Sequence, residues 1–545
     1  MIIKTFSDVP KTGLAGLKAH WRQDFLSGFL VFLIALPLCL GISMASGFPP
    51  AAGIITAVVG GMVVSRCSGS FVTINGPAAG LIVVVLDAVQ SMGEGDAMAG
   101  YRYTLAAIVI ASILQIAMGI FKFGRLSSFF PASVVHGMLA AIGIIIMAKQ
   151  IHVVLGVTPE KGNLVSTISQ IPHSLVNLNP EIGIIGFTGI FILIVWSMIK
   201  NPTLKMIPAP LIVVLVGIGF GKIFDLDHEH LYLFLPDSTF LSHHEATIGP
   251  KFLVTISDNF MSSFYSPDFS KITSTDFWHH VITIALVGSL ESLLSTMAVD
   301  KLDPYKRHSN LNRDLAAVGM GNLIAGSIGG LPMIAEIVRS SANVTNGAKT
   351  SWANFFHGSI LLLFVVFFPK LIHSIPLAAL AALLVFTGFR LASPKEFLNV
   401  WKIGKDQLFL FVATIIGVIT TDLLIGVAIG VSLKALLHLL RGVSFNNLLK
   451  MNYSITKTIN NECLVVINNA AVFSNILKFK EAVGQFQLDE AIVFDLSQSS
   501  FLDHSMMEFL HKFEHDWVSR GGQCKIIGAD HLRAVSFHPL AVRKK

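Results

Sequence analysis

Two apolar segments, far apart in the sequence, are interrupted by glycine and proline where a membrane helix would be expected to continue. The first covers residues 69–80 and contains the turn Asn-Gly-Pro-Ala-Ala at 75–79; the second covers residues 329–343 and contains Arg339. Non-helical backbone survives at membrane depth only where protein or a water-filled cavity satisfies its polar groups. Paired interruptions in two halves of a chain are typical of a transporter's binding site, so these segments are the candidate site.

The chemistry that these segments offer is anion binding. We predict an extended stretch at 71–75 followed by a half-helix from Pro77, and an extended stretch at 332–338 followed by a half-helix from Arg339. The exposed N–H groups and positive dipole ends of the two helices would then face one point near the middle of the membrane. The residues expected to hold the anion are Gly76, Pro77, Ala78 and Ala79 on the first segment and Arg339, Ser340, Ser341 and Ala342 on the second. The alternative is that the glycines and prolines are only packing kinks between close helices.

One acidic residue, Glu291, interrupts the apolar run 281–299. It lies about 15 Å along a helix from the start of that run, near mid-membrane, where a carboxylate costs about 3 kcal/mol even on permissive insertion scales. We predict that Glu291 takes up H+ or ligates Na+ when the anion binds, with Gly288 and Ser295 on the same helical face. The alternative is a structural carboxylate paired with a basic residue such as Arg339.

Glu336 and a group of loop histidines are predicted to have no part in the site. If residues 332–338 are extended, Glu336 points away from Arg339, which favours a structural salt bridge to the scaffold. The loop histidines lack a cysteine or carboxylate pattern that would favour a metal, so solvated side chains are expected. They are His228, His230, His243 and His244.

The composition shows that membrane-spanning helices must position these residues. The 545-residue chain is 53% hydrophobic and 13% charged, with a mean hydropathy of +0.69. Soluble domains are about 25% charged, so this is a polytopic helical membrane protein. The apolar stretches and the two broken segments give about fourteen spans, which divide into seven plus seven. No nucleophile–base or metal constellation supports an enzyme.

Lysines and arginines fall on alternate loops, which predicts that both termini are cytoplasmic. This bias accounts for the net charge of +6, so it does not indicate nucleic-acid binding. We predict a cytoplasmic tail at 1–23, a transmembrane domain at 24–441, and a linker with a soluble α/β domain at 442–545. In that domain we expect strands at 463–468, 491–496 and 524–528 and helices at 474–486 and 504–520. The four cysteines, two in spans and two in the tail, are expected to be free thiols.

With these features assembled, the chain resembles the SulP family of sulfate permease-like anion transporters. The resemblance is carried by residues 36–50, the turn at 75–79, Gly-Ser-Leu-Glu-Ser-Leu-Leu at 288–294, and the segment 339–350 that begins Arg-Ser-Ser-Ala-Asn. It implies a seven-plus-seven inverted repeat with core and gate modules and two half-helices, an elevator-type movement and a homodimer. It also implies that the tail is a STAS domain, with a regulatory protein as its partner.

Departures from the family pattern bear on the substrate. Many sulfate-type members carry glutamine and tyrosine where this chain has Leu38 and Ile42. The resemblance therefore implies that Leu38 lines a less polar site, which favours bicarbonate over sulfate. Glu336 replaces a residue that is usually neutral. In the STAS motif, His504 precedes Ser505, which favours helix capping by Ser505 over phosphorylation.

The sequence therefore predicts a secondary active transporter of an inorganic anion, with bicarbonate favoured, coupled to Na+ or H+ through Glu291. The cation and the anion would compensate each other's charge while the loaded carrier crosses the bilayer. The predicted location is a bacterial inner membrane. The alternatives are a sulfate, oxyanion or dicarboxylate symporter, an uncoupled exchanger or channel, a nucleobase carrier, which Arg339 disfavours, and a signalling protein that acts through its tail.

Overall fold

A computed structural model describes most of the chain, in two compact units. The described residues are 9–124, 130–158, 164–201, 204, 207–231, 247–257, 259–457, 462–519 and 521–545. One unit comprises Met1–Gly124 and Ile142–Arg390, and the other Arg125–Ala141 and Leu391–Lys545. Within the acidic loop, His243 and His244 lie outside the described residues.

Apolar helices dominate the chain before residue 445. Eight described helices are long and apolar enough to cross a membrane: Gly13–Ala45, Pro50–Cys67, Ala97–Ile120, Ala132–Val154, Pro180–Met198, Thr275–Leu302, Leu377–Ile403 and Leu423–Leu440. Three shorter apolar helices are Ala79–Gly93, Ala209–Ile223 and Trp352–Phe367. The remaining helices of this region include Leu164–Ser169, Ile171–Val176, Leu311–Ser327, Ile337–Thr345, Pro369–His373 and Lys405–Thr420. A polytopic helical membrane fold is confirmed, whereas the count of fourteen spans stays a prediction.

Small residues let these helices approach closely. A Cβ on Gly61 would lie 2.6 Å from the Gly358 Cα, so the helices Pro50–Cys67 and Trp352–Phe367 pack with their backbones almost in contact. In hydrocarbon, such packing replaces the hydrophobic effect as the force that joins helices.

The two broken segments meet as a small antiparallel sheet. Asn75–Pro77 pairs with Met333–Ala335, with Asn75 opposite Ala335 and Pro77 opposite Met333. The Glu336 amide extends the ladder by donating to the Ile74 carbonyl at 2.8 Å. We call these two strands the crossing strands.

A half-helix follows each crossing strand, but at a different residue from the one predicted. The first half-helix is Ala79–Gly93, which opens with a 3₁₀ turn at Ala79–Leu81, and the second half-helix is Ile337–Thr345. The predicted starts at Pro77 and Arg339 were wrong. Only three residues of each segment pair, and unpaired backbone is costly at membrane depth, so the second segment becomes helical directly after Glu336.

In the second unit, the C-terminal region forms a seven-stranded sheet. Its strands Glu462–Ala471, Ala491–Asp495 and Cys524–Ile527 are parallel neighbours, with Cys524–Ile527 at one edge, and Ser499–Leu502 pairs parallel with the end of the first of these. The other strands are Asn452–Lys457, Arg533–Ala534 and Arg543–Lys544, and the helices are Phe445–Leu449, Ile476–Val483 and His504–Ser519. The predicted α/β domain is confirmed. All four cysteines are free, as expected.

A buried ion pair joins this domain to the last membrane helix of the same unit. The Lys434 ammonium lies 3.1 Å from the Asp503 carboxylate, and the two side chains are 1% and 0% exposed. Asp503 also accepts hydrogen bonds from the backbone amides of Phe473 (3.0 Å) and Met506 (2.8 Å). Burial alone would raise the pKa of Asp503, but the Lys434 and His438 side chains hold it below its usual range. The Asp503 carboxylate is therefore ionised at neutral pH.

The same contacts correct the role predicted for Ser505. Asp503, rather than Ser505, caps the helix His504–Ser519, because its carboxylate accepts from the Met506 amide. The Ser505 hydroxyl instead lies 3.2 Å from the Lys434 ammonium, which donates to it.

We expect Asp503→Asn to destabilise the protein by about 3 to 5 kcal/mol, because it leaves Lys434 as a buried charge without its partner. The measurement is thermal unfolding of the full-length protein with a thiol-reactive dye, which reports exposure of the buried Cys463 and Cys524. Asp530→Asn, at an exposed acid of the same domain, is the control. Equal unfolding midpoints for the two variants would contradict a stabilising role for the pair.

Candidate functional site

Arg339 lies at the centre of the site, one turn into the second half-helix. Its side chain is fully buried. One guanidinium nitrogen, Nη2, donates to the Pro77 carbonyl at 3.0 Å, and Nη1 lies 3.6 Å from the Cys39 sulfur. A Cβ on Gly76 would lie 3.3 Å from the Arg339 Cζ and closer still to Nη1, so a glycine is needed there. Arg339 thus reaches across the crossing strands to the first segment.

Glu291 reaches the start of the first half-helix. Its carboxylate accepts from the Gly80 backbone amide, and a Cβ on Gly80 would collide with both carboxylate oxygens. The helix Thr275–Leu302 therefore approaches the half-helix at a position that only glycine allows. The structure therefore brings Glu291, the predicted coupling acid, to the first broken segment.

Glu336 also faces the site, contrary to the prediction that it turns toward the scaffold. Because the second half-helix begins at Ile337, Glu336 and Arg339 are three residues apart at a helix start and share one face. The Glu336 carboxylate, which is 9% exposed, interacts with the Arg339 charge and accepts from the Ala79 amide. Two carboxylates therefore occupy the N-terminus of the first half-helix.

Several polar atoms in this cluster have no hydrogen-bond partner among the described residues. They are Glu291 Oε2, Glu336 Oε1, Arg339 Nε and the Asn75 amide nitrogen. A buried polar group without a partner costs about 1 to 3 kcal/mol, more if it is charged. The cluster therefore has two unpaired carboxylate oxygens and two unpaired nitrogen donors, the Arg339 Nε and the Asn75 side-chain nitrogen, among the described residues.

The other residues predicted for the anion lie around this cluster. Ala78 is buried beside the crossing strand, and Ser341 and Ala342 are half-buried on the second half-helix. Ser340 is fully buried, and its hydroxyl accepts from the Ile74 amide at 2.9 Å. Its side chain is therefore committed to holding the first segment.

Two residues predicted to accompany Glu291 are buried on its helix. A Cβ on Gly288 would lie 3.2 Å from the Gln115 side-chain nitrogen, and Ser295 is 8% exposed. The serine of this helix that contacts a crossing strand is Ser292, whose hydroxyl accepts from the Ala335 amide at 3.1 Å. Ser292 was not predicted, because it directly follows Glu291 and therefore lies off the helical face that Gly288, Glu291 and Ser295 share.

Further polar side chains that sequence analysis missed fix the crossing strands. The Asn322 side chain binds both sides of Met333, accepting from its amide at 2.6 Å and donating to its carbonyl at 3.3 Å. Asn354 donates to the Asn75 side chain at 3.1 Å, and Thr56 donates to the Leu331 carbonyl at 3.0 Å. The sequence signal that could have identified them is that each is a polar residue within an apolar helix.

Leu38 and Ile42 lie on the first long helix, on either side of the residue that approaches Arg339. Leu38 is half-buried against an apolar cluster, and Ile42 is 2% exposed. Cys39 supplies the sulfur that Arg339 Nη1 approaches. The two residues add no polar side chain beside Cys39, and the prediction that Leu38 lines the site stays a prediction.

The described part of the acidic loop holds no cluster of three or more histidine, cysteine or acidic side chains, and the same is true of all the described residues. His228 is exposed and lies 2.9 Å from Asp225, a hydrogen bond that raises the pKa of its imidazole.

Apolar helices, crossing strands at membrane depth, and a buried group of two acids and an arginine together define a polytopic membrane transporter. A family model described as the sulfate permease family matches residues 21–414. The chain therefore belongs to the sulfate permease family, and it is an anion transporter of that family.

Known proteins of this kind are similar over most of the chain. YvdB of Bacillus subtilis is 27% identical over 416 residues, covering 76% of this chain and 72% of YvdB. The bicarbonate transporter BicA of Picosynechococcus sp. is 25% identical over 424 residues, covering 76% and 70%.

Two solved structures share the fold. The transmembrane domain of a cyanobacterial BicA matches with a TM-score of 0.64 at 21% identity, covering 75% of this chain and 97% of that domain. The murine Slc26a9 anion transporter matches with a TM-score of 0.64 at 17% identity, covering 93% and 85%. The C-terminal sheet domain is consistent with STAS.

We expect Gly80→Ala to reduce anion uptake about 5- to 150-fold, because the added methyl group displaces the Glu291 carboxylate at a cost of about 1 to 3 kcal/mol. The measurement is initial uptake into proteoliposomes, with equal amounts of monodisperse protein. Gly219→Ala is the control, since a Cβ there meets nothing within 4 Å. Equal uptake by both variants would show that the close contact between Gly80 and Glu291 is unimportant.

Proposed function

We propose that this protein is a secondary active transporter that couples uptake of bicarbonate to movement of Na+ or H+. The observation that carries the proposal is the buried Arg339, whose Nε has no partner among the described residues, while Glu336 interacts with its charge and Glu291 interacts with Glu336. Such a group has the charge to bind an anion and the acids to bind a cation.

The anion is proposed to bind at Arg339 and the second half-helix. The amides of Ala79 and Gly80 at the first half-helix already donate to Glu336 and Glu291. Among the described residues, no side chain caps the second half-helix, so its positive end remains to be complemented. Together with Arg339 Nε and the half-buried Ser341, this end offers donors to the oxygens of a small oxyanion.

Coupling follows from the cost of charge in the membrane. An anion that enters the site adds negative charge next to two acids, and buried charges are stable only when they are paired. A cation at Glu291 offsets this charge, so the fully loaded carrier crosses at a lower cost than a carrier with the anion alone.

Two features favour bicarbonate. One arginine matches one negative charge, and Leu38 and Ile42 offer no donors for the further oxygens of a more highly charged anion. A relative that is named as a bicarbonate transporter is 25% identical. Sulfate symport is the second candidate, because the family is described by its sulfate permeases.

The remaining features of the proposal come from the family resemblance and the distribution of charge. We propose an elevator-type movement, a homodimer in a bacterial inner membrane, and cytoplasmic termini, since basic residues alternate between loops. A regulatory protein is proposed to bind the C-terminal domain. Transport is proposed to be its main activity, ahead of signalling through that domain.

The test is uptake of labelled bicarbonate and labelled sulfate into proteoliposomes, each under an imposed Na+ or H+ gradient. We expect bicarbonate to accumulate above equilibrium under one of the two gradients. Accumulation of sulfate alone would support coupled transport and reject bicarbonate as the substrate. Equilibration without accumulation would indicate a channel or exchanger and reject coupling.

We expect Glu291→Gln to abolish cation-driven accumulation, because an amide takes up neither a proton nor a sodium ion in place of a carboxylate. The measurement is the steady-state ratio of anion inside to outside under the gradient that drives the unmodified protein. Asp276→Asn, at a half-exposed acid in the first turn of the same helix, is expected to leave accumulation unchanged. Unchanged cation-dependent accumulation in Glu291→Gln would reject the coupling role.

A further inference from the structure

We infer that Glu336 is a second coupling carboxylate, so that each cycle moves one more monovalent cation than the anion has negative charges. The inference rests on the proposed function and fixes its stoichiometry. It follows from the position of Glu336 within the buried cluster of Glu291, Glu336 and Arg339, which we call the charge cluster.

The position of Glu336 is set by the backbone. Its amide donates to the Ile74 carbonyl at 2.8 Å, and the second half-helix begins at the next residue. Its carboxylate caps no amide of its own helix and instead accepts from Ala79 at the opposite half-helix. Glu291 accepts from the adjacent amide of Gly80. The two acids therefore lie side by side at one helix end and interact electrostatically.

Each acid has one free oxygen. Glu291 Oε2 and Glu336 Oε1 have no hydrogen-bond partner among the described residues, although both lie in a buried site. An uncompensated carboxylate oxygen in such a site is costly. One cation at each of these oxygens, whether a proton or Na+, removes that cost, so the geometry provides two cation positions.

Counting charge in the cluster gives the number of cations. Two carboxylates and one guanidinium leave a net charge of −1 in the empty site, and bicarbonate makes it −2 (two acids, one anion, one arginine). Two monovalent cations are needed for a neutral loaded site. If Glu336 were neutral, the empty site would have no net charge and one cation would suffice.

Other titratable groups near the cluster leave this count unchanged. Cys39 and His357 face Arg339, and both are fully buried. Both His357 ring nitrogens lack a hydrogen-bond partner among the described residues, so a charged imidazole beside the arginine would be unpaired. Farther along the first half-helix, Asp87 interacts with Lys149, and this pair adds no net charge.

The count predicts a transport cycle that moves one net positive charge inward, whichever anion is carried. Bicarbonate would enter with two cations and sulfate with three. Glu336→Gln removes one negative charge from the site and is expected to remove one cation from the cycle, which makes transport electroneutral.

The experiment measures the steady-state anion ratio against the cation ratio in proteoliposomes whose membrane potential is clamped at zero with K+ and valinomycin. With labelled bicarbonate, a tenfold cation gradient is expected to support about 100-fold accumulation by the unmodified protein and about 10-fold by Glu336→Gln, because accumulation rises as the cation ratio to the power of the stoichiometry. With labelled sulfate the expected exponents are three and two. An inside-negative potential should raise accumulation only for the unmodified protein. Glu94→Gln, at an exposed acid that pairs with Lys271, is the control and should match the unmodified protein.

The outcomes separate this inference from the proposed function. An exponent equal to the anion's own charge in the unmodified protein overturns the role of Glu336 and leaves coupled transport standing. No cation-driven accumulation at all overturns both. If Glu336→Gln transports nothing, the exponent of the unmodified protein still decides, and Glu336→Asp, which keeps the charge, is expected to retain it.

Discussion

The crossing strands are the interaction on which the site depends. Three residue pairs, Asn75–Pro77 against Met333–Ala335, satisfy backbone groups that would otherwise be unpaired at membrane depth. So short a sheet has little stability of its own, and side chains from the surrounding helices support its edges. Ser292, Asn322 and Ser340 each bind a backbone group of one of the two segments. The pairing links the two half-helices directly through their backbones.

The crossing strands and half-helices bring charged side chains together, and these charges define the site. Arg339 reaches across the strands to Pro77, while Glu291 and Glu336 reach the first half-helix. The acids occupy backbone donors that an anion would otherwise use, and the arginine interacts with Glu336 and donates to the Pro77 carbonyl. In the proposed mechanism, a cation and an anion would therefore change each other's surroundings within this one cluster. The affinity for one ligand would then depend on the occupancy of the other, and this coupling would be reciprocal.

Sequence alone located this site but did not define its geometry. Pro77 and Pro332 marked the two breaks, and Glu291 and Arg339 were recognised as charges at membrane depth. The start of the second half-helix could not be predicted from the sequence. It depends on the residue at which strand pairing ends, and the partner strand lies more than 250 residues away in the chain. Because the predicted helix start was two residues too late, Glu336 was predicted to point away from Arg339. Likewise, Ser505 was an acceptable cap by residue type, but the fold placed Asp503 to accept the Met506 amide.

The buried contact between Lys434 and Asp503 has a consequence for how the C-terminal domain can be studied. Removing the domain also removes the counter-ion of a lysine in the last membrane helix, where the ammonium is 1% exposed. A truncated protein therefore keeps, in its last membrane helix, a lysine that has lost its carboxylate partner. Loss of transport after truncation would report this defect together with any loss of regulation. Only a shortened chain that also carries a neutral residue at 434 would show what the domain itself contributes.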